Sequence, residues 1–89
     1  MTTRLHLKIR GRVQGVGFRW FARDAASRLQ VAGWVRNLPT GEVEAEAEGD
    51  REALDRFVTE LKTGLPYARV ESIAQKEIPP KGERGFDIQ

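Results

Sequence analysis

The chain has 89 residues, the length of one small domain, and we expect residues 1–89 to form a single unit with a modest core. It contains no cysteine, which excludes disulfide bonds and zinc–thiolate sites. Fifteen Lys and Arg against 13 Asp and Glu leave a net charge of +2, a weak positive field that suits small anions better than nucleic acid. No apolar run could span a membrane and the N-terminal residues lack a signal-peptide core, so we expect a cytoplasmic protein with no membrane partner.

The first half of the chain alternates between strand and helix patterns. Residues 4–10 alternate apolar with charged side chains and predict a half-buried strand. The glycine-rich segment Gly11–Arg19 follows, and an apolar stripe at helical spacing covers residues 18–29. Residues 31–38 predict a second strand that ends in a short turn, in which Gly41 can take a positive φ.

The second half of the chain also alternates between strand and helix patterns. Residues 42–48 alternate again, with four glutamates on the outer face. Asp50 is a candidate N-cap for a helix that ends at Gly64. Residues 68–77 predict a fourth strand whose apolar residues fall out of phase, which indicates a bulge or bend. Residues 86–88 are compatible with a short fifth strand.

The predicted order is βαββαβ. Right-handed crossovers make the first two strands parallel, with the third lying antiparallel between them. This predicts an α+β, ferredoxin-like split βαβ sandwich, in which two helices cover one face of an antiparallel sheet. The other face carries two opposite rows of charge, which we expect to form a solvated surface: Arg4, His6, Lys8 and Arg10 beside Glu42, Glu44, Glu46 and Glu48.

The segment Gly11–Arg19 reads Gly-Arg-Val-Gln-Gly-Val-Gly-Phe-Arg and has no nucleophilic side chain. Glycines allow a positive φ and a close approach of the backbone to a ligand. Successive N–H groups beside a helix N-terminus bind anions, and an arginine grips two oxygens of a phosphate at once. The segment therefore predicts a phosphate cradle completed by Arg19.

Asn37 is the only asparagine of the chain and stands at the end of the second predicted strand. In the predicted sheet this end lies on the same edge as the glycine segment, two strand spacings or about 9–10 Å away. A phosphate and an attacking water fit that gap. Alone, Asn37 would be assigned to the turn, but beside the cradle it is a candidate for orienting the water.

The glycine segment together with Gly33-Trp34-Val35-Arg36-Asn37 resembles the two signature segments of the acylphosphatases, and the resemblance extends over nearly the whole chain. It implies hydrolysis of small acyl phosphates to a carboxylate and inorganic phosphate without a metal ion or cofactor. Because the predicted cradle would also hold free phosphate, we expect inorganic phosphate to inhibit competitively, and nothing in the sequence indicates more than a monomer. When the roles of the family's signature residues are assigned to the matching positions of this sequence, the resemblance implies that Arg19 and Asn37 are catalytic. The substrate-binding residues implied are Gln14, Gly15, Val16, Gly17, Phe18 and Arg19. Gln30 departs from the pattern, because many relatives have glycine there, and this predicts a local loss of stability.

The chemistry places few demands on side chains. A carboxylate leaves without a proton, so no general acid is needed. His6, the only histidine, lies about 16 Å before Gly11 along an extended strand, too far to act as a base. A phosphate oxygen of the substrate then accepts the proton of the water. The protein positions the water and the phosphoryl group and neutralises the negative charge of the phosphate.

Other interpretations remain open from the residues alone. The glycines could form a mere strand–helix connection, and a cradle with an arginine could bind anions without catalysis. A module that handles carbamoyl phosphate inside a larger hydrogenase-maturation protein has similar features. An RNA-binding sheet is disfavoured, because its stacking positions hold charged residues here. Some further side chains are interpreted as packing residues (Trp20 and Trp34) or as surface charges with at most a steering role (Arg12, Arg23 and Arg36).

Overall fold

The computed structural model describes residues 2–89 and contains all seven predicted elements, each bound within two residues of the prediction. In chain order they are β1 (Thr2–Arg12), α1 (Phe18–Leu29), β2 (Ala32–Asn37), β3 (Val43–Asp50), α2 (Arg51–Thr63), β4 (Arg69–Ile78) and β5 (Phe86–Ile88). Asp50 is the N-cap of α2, as predicted, and Gly64 ends that helix.

The five strands form one sheet in the order β4-β1-β3-β2-β5. Strand β3 lies antiparallel between β1 and β2, with Ala45 opposite both Leu7 and Val35. This confirms the split βαβ arrangement. Strand β5 is parallel to β2, with Ile88 opposite Val35, so the sheet is mixed at this one edge.

Both helices pack on the inner face of the sheet and enclose the core. Helix α1 turns the small residues Ala22, Ala25 and Ala26 inward, which lets its backbone approach the strands closely. Helix α2 contributes larger side chains, and the ring of Phe57 meets that of Phe86 edge-on at 5.7 Å. The tight core holds the start of α1 and the end of β2 in fixed positions beneath the glycine segment.

The predicted irregularity of β4 is a bulge opposite Gly11. Arg10 pairs with Ser72 but Gly11 pairs with Val70, so the register skips Glu71. Gly11 has a φ of 133°, and a Cβ there would lie 2.0 Å from the carbonyl oxygen of Arg69. Gly11 is therefore a strand residue that allows the close approach of β4, and the loop itself begins only after Arg12.

The outer face of the sheet differs from the prediction at one end. The charged rows do face each other, but Arg4 is completely buried and Glu48 is only 5% exposed. The guanidinium of Arg4 donates from Nε to Glu46 Oε1 (2.8 Å), from Nη1 to Glu48 Oε1 (3.0 Å) and from Nη2 to Glu83 Oε1 (2.7 Å). The expectation of a solvated face is wrong for Arg4 and Glu48, which together with Glu46 and Glu83 are here called the Arg4 cluster.

The segment that covers the Arg4 cluster is the loop between β4 and β5. The backbone N–H groups of Lys81 and Gly82 donate to the two carboxylate oxygens of Glu48 at 2.7 and 2.9 Å. Further along, the carbonyl of Gly85 accepts from the N–H of Gly33 at 2.9 Å, immediately before β5 begins. Buried charges thus fix the loop from which β5 enters the sheet.

Gln30, the residue that departs from the family pattern, ends α1 in the left-handed region with a φ of 59°. The N–H of Val31 donates to the carbonyl of Ala26 (2.8 Å) and that of Gln30 to Ser27 (3.4 Å), the paired bonds of a Schellman motif. A side chain is strained in this conformation and glycine is not. Replacing Gln30 with glycine is expected to stabilise the fold by about 0.5–1 kcal/mol, measured as a higher urea midpoint.

Gln30→Ala is the matched control for this prediction. It removes the same polar side chain but keeps a Cβ in the left-handed region, so its unfolding free energy is expected to stay close to that of the original protein. An equal gain from both substitutions would show that the side chain, and not the backbone conformation, lowers stability.

Candidate active site

A cavity of about 200 Å³ lies between the N-terminus of α1 and the end of β2. It has roughly the volume of six or seven water molecules in the liquid, which is room for a phosphoryl group and a water. The residues that line it are Val13, Gly15, Gly17, Phe18, Arg19, Trp20 and Asn37. Five of the seven predicted site residues therefore share one small cavity.

The loop in front of α1 owes its shape to two glycines. Gly15 and Gly17 have φ values of 75° and 78°, whereas Val16 between them has a negative φ. Residues whose φ alternates in sign turn consecutive backbone N–H groups toward one side, which forms an anion-binding concavity. Neither glycine has any atom within 4 Å of an added Cβ, so the backbone conformation and not crowding explains their presence.

The first turn of α1 adds further donors. The first helical hydrogen bond runs from the N–H of Phe21 to the carbonyl of Gly17 at 3.0 Å, so the amides of Phe18, Arg19 and Trp20 have no helical partner. No acidic residue occupies this turn, where the helix dipole would favour one. The turn carries unneutralised positive potential at the wall of the cavity, which an anionic ligand would balance.

Arg19 is half-buried and lines the cavity. Its Nη1 donates to the backbone carbonyl oxygen of Gln89 at 3.3 Å, and the N–H of Gln89 in turn donates to the carbonyl of Val35 at 2.8 Å. The chain beyond β5 therefore helps to orient the guanidinium, and the remaining N–H groups of Arg19 are available to a ligand.

Asn37 is the last residue of β2 and its side chain is exposed at the cavity. Val43 of β3 pairs with Asn37 on one side and with Ile9 of β1 on the other. Asn37 and Ile9 are thus two strand spacings apart, about 9.5 Å, and β1 continues beyond Ile9 to Arg12 before the glycine loop begins. The carboxamide and the glycine loop therefore lie on either side of β3, at the same end of the sheet, and both line the cavity.

Two predicted binding residues do not line the cavity. The side-chain amide of Gln14 donates to the carbonyls of Leu38 (2.8 Å) and Glu42 (2.9 Å), and so ties the loop to the β2–β3 turn. Val16 packs against the core. The two hydrogen bonds of Gln14 stabilise the turn that follows Asn37. They are long-range contacts that no local pattern in the sequence predicts.

Two cavity residues were not predicted. Val13 is a buried wall residue, and Trp20 is 59% exposed. The interpretation of Trp20 as a packing residue is wrong, whereas Trp34 is half-buried. A signal for Trp20 was present, because it lies off the apolar stripe of α1 that includes Phe18 and Phe21.

Within residues 2–89, no group of three or more His, Asp and Glu side chains is arranged to hold a metal ion. His6 lies on the outer face of the sheet, where its Nε2 is 2.7 Å from Glu44 Oε2, and it is not part of the cavity. Neither helix of the described chain has the length and apolarity needed to cross a bilayer.

Comparison with known proteins relates nearly the whole chain to one family. The acylphosphatase family model matches residues 5–88. An acylphosphatase from Thermococcus kodakarensis is 49% identical over 96% of this chain and 93% of its own, and one from Trichormus variabilis is 46% identical over 97% and 85%. The crystal structure of the acylphosphatase from Bacillus subtilis superposes with a TM-score of 0.94, at 40% identity and with 100% and 99% of the two chains covered.

Proposed function

The chain belongs to the acylphosphatase family and hydrolyses acyl phosphates to a carboxylate and inorganic phosphate, and we propose that it does so in the cavity between α1 and β2. The observation that carries this proposal is that one cavity holds Arg19, Asn37 and the two left-handed glycines. The cavity at the N-terminus of α2 also contains a carboxamide and two arginines, but the carboxylates of Asp50 and Glu52 line it as well, whereas no carboxylate lines the cavity of Arg19.

Phosphate binding falls to the backbone and Arg19. The N–H groups of the loop and of the first turn of α1 surround the phosphoryl oxygens, and the half-buried guanidinium adds a charge-assisted contact. These groups are fixed before the substrate arrives, so they neutralise the developing charge without reorganising. Gln14 keeps the loop and the β2–β3 turn in register.

Asn37 positions the attacking water. Its carboxamide oxygen can accept a hydrogen bond from the water, which places the water in line with the leaving carboxylate. No carboxylate or histidine lines the cavity, so a phosphoryl oxygen of the substrate takes the proton. The carboxylate departs unprotonated, and a loose transition state requires little beyond positioning and charge neutralisation.

An assay with acetyl phosphate tests this mechanism. Hydrolysis is expected to proceed at the same rate with and without EDTA, because the cavity offers no carboxylate, histidine or cysteine ligands to a metal ion. Inorganic phosphate is expected to inhibit competitively, because the cradle holds the group that substrate and product share. Loss of activity with chelator, or purely non-competitive inhibition, would contradict the mechanism.

We further propose that residues 1–89 act as a single cytoplasmic domain and as a monomer. The lack of cysteine supports the compartment. Only Trp20 and Tyr67 are large exposed apolar side chains in the described chain, far less than the apolar patch of a stable dimer interface. Light scattering at micromolar concentration tests the oligomeric state.

A further inference from the structure

A second and larger cavity begins at Trp20, the residue that also lines the phosphate cavity. It has a volume of about 830 Å³ and follows the exposed side of α1 past Arg23 and Ser27 to Gln30. Its opposite wall is the β4–β5 loop, including Arg84. Because Trp20 lines both cavities, an acyl group attached to a phosphate in the small cavity can reach this larger space past the indole ring.

Arg23 and Trp20 form a fixed pair at the near end of the larger cavity. The guanidinium carbon of Arg23 lies 4.4 Å from the centroid of the indole ring, and the indole is 59% exposed. Stacking on the ring holds the guanidinium in place while leaving its N–H groups open to a ligand. An exposed indole beside an immobilised cation is a surface for an anionic group on a short carbon chain.

The charged side chains of this larger cavity favour the binding of an anionic ligand. Its two carboxylates are already engaged, Asp24 with Arg28 at 3.2 Å and Glu83 with Arg4 at 2.7 Å. By contrast, no carboxylate within the described residues comes within 4.0 Å of the guanidinium of either Arg23 or Arg84.

The spacing of two arginines on α1 matches a bifunctional substrate. Arg19 and Arg23 are four residues apart, so they lie on one side of the helix with a rise of about 6 Å between them. We propose that Arg23, supported by Trp20, selects acyl phosphates whose acyl group carries a second negative charge a few bonds from the phosphoryl group. This inference rests on the proposed function, because it requires the phosphoryl group to occupy the cavity of Arg19.

Two substrates of equal chain length test the proposal: butanoyl phosphate, and 3-carboxypropanoyl phosphate, which ends in a carboxylate. The original protein is expected to favour the second in kcat/KM. Arg23→Gln is expected to reduce this preference about fivefold, through KM, since it removes one solvent-exposed ionic contact. Arg23→Lys, which keeps the charge but not the stacked fork, is expected to retain part of the preference.

Arg56→Gln is the matched control, because Arg56 is an exposed arginine on α2 that lines neither cavity. It is expected to leave the preference unchanged, which separates a local contact from the loss of one positive charge. An unaltered preference in Arg23→Gln, or an equal loss in both variants, would overturn the proposal. If the original protein hydrolysed neither substrate, the proposed function itself would fail.

Discussion

Replacing Asn37 with alanine is expected to lower kcat for acetyl phosphate by about 10²–10³-fold, the usual cost of losing one group aimed at the transition state. The inhibition constant of inorganic phosphate is expected to change little. The phosphoryl group is held by the backbone and Arg19, whereas Asn37 stands across the cavity at the end of β2. Steady-state kinetics with phosphate as inhibitor measures both quantities on the same preparation.

Arg19→Ala should behave differently, because it removes a ligand of the phosphoryl group in the ground state as well as in the transition state. We expect both weaker phosphate inhibition and a lower kcat. Thr40→Ala is a control for the turn and is expected to leave both quantities unchanged, since within residues 2–89 its hydroxyl forms hydrogen bonds only with Glu42. Full kcat in Asn37→Ala would refute the water-positioning role, and unchanged phosphate inhibition in Arg19→Ala would place the phosphate elsewhere.

Replacing Arg4 with methionine is expected to destabilise the fold by about 3–5 kcal/mol, the range found when one partner of a buried ionic group is removed. Arg4 is fully buried, and the substitution would leave Glu46, Glu48 and Glu83 facing each other without their common cation. The free energy of unfolding in urea at pH 7 measures the effect.

The pH dependence of this loss distinguishes charge from packing. The backbone N–H of Lys81 lowers the pKa of Glu48, against the effect of burial and with help from Arg4. Burial acts to raise the pKa of Glu46, but the hydrogen bonds from Arg4 and Lys81 outweigh the effect of burial, so the pKa of Glu46 is lowered. Carboxyls with lowered pKa values stabilise the fold above their unfolded pKa, and this contribution is lost as the pH falls through the folded value.

Without Arg4 the same carboxyls are repelled by each other and protonate more easily, so acid relieves the defect. The difference in unfolding free energy between the original protein and Arg4→Met is therefore expected to be smaller at pH 4 than at pH 7. Arg51→Ala serves as the control, because its two ion pairs are exposed and longer than 3.5 Å; a change within about 0.5 kcal/mol is expected. A constant defect of Arg4→Met across this pH range would assign it to lost packing.

The Arg4 cluster is also connected to both cavities through the loop between β4 and β5. Glu83 precedes Arg84, which lines the larger cavity, and the same loop leads into β5 and on to Gln89, the partner of Arg19. A β4–β5 loop released from Glu48 would therefore loosen both the wall of the larger cavity and the contact that orients the Arg19 guanidinium. Weakened phosphate inhibition in Arg4→Met, measured where the variant is still folded, would reveal this connection.

The sequence by itself determined the order and the bounds of the helices and strands, because alternation and helical spacing are local patterns that the core enforces. It also determined that the glycine loop and Asn37 meet, since the strand order that follows from right-handed crossovers brings their ends to one edge of the sheet. The resemblance of the two segments to the acylphosphatases then specified the reaction.

Only the tertiary structure decided which charged and aromatic side chains are covered. Arg4 has the pattern of a solvent-facing strand residue, yet a loop 79 positions away in the chain encloses it. Trp20 looks like a core residue by its chemistry, yet it stands exposed where two cavities join. Alternation along a strand or helix reports the face on which a side chain lies, but the path of a distant loop decides whether water reaches that face.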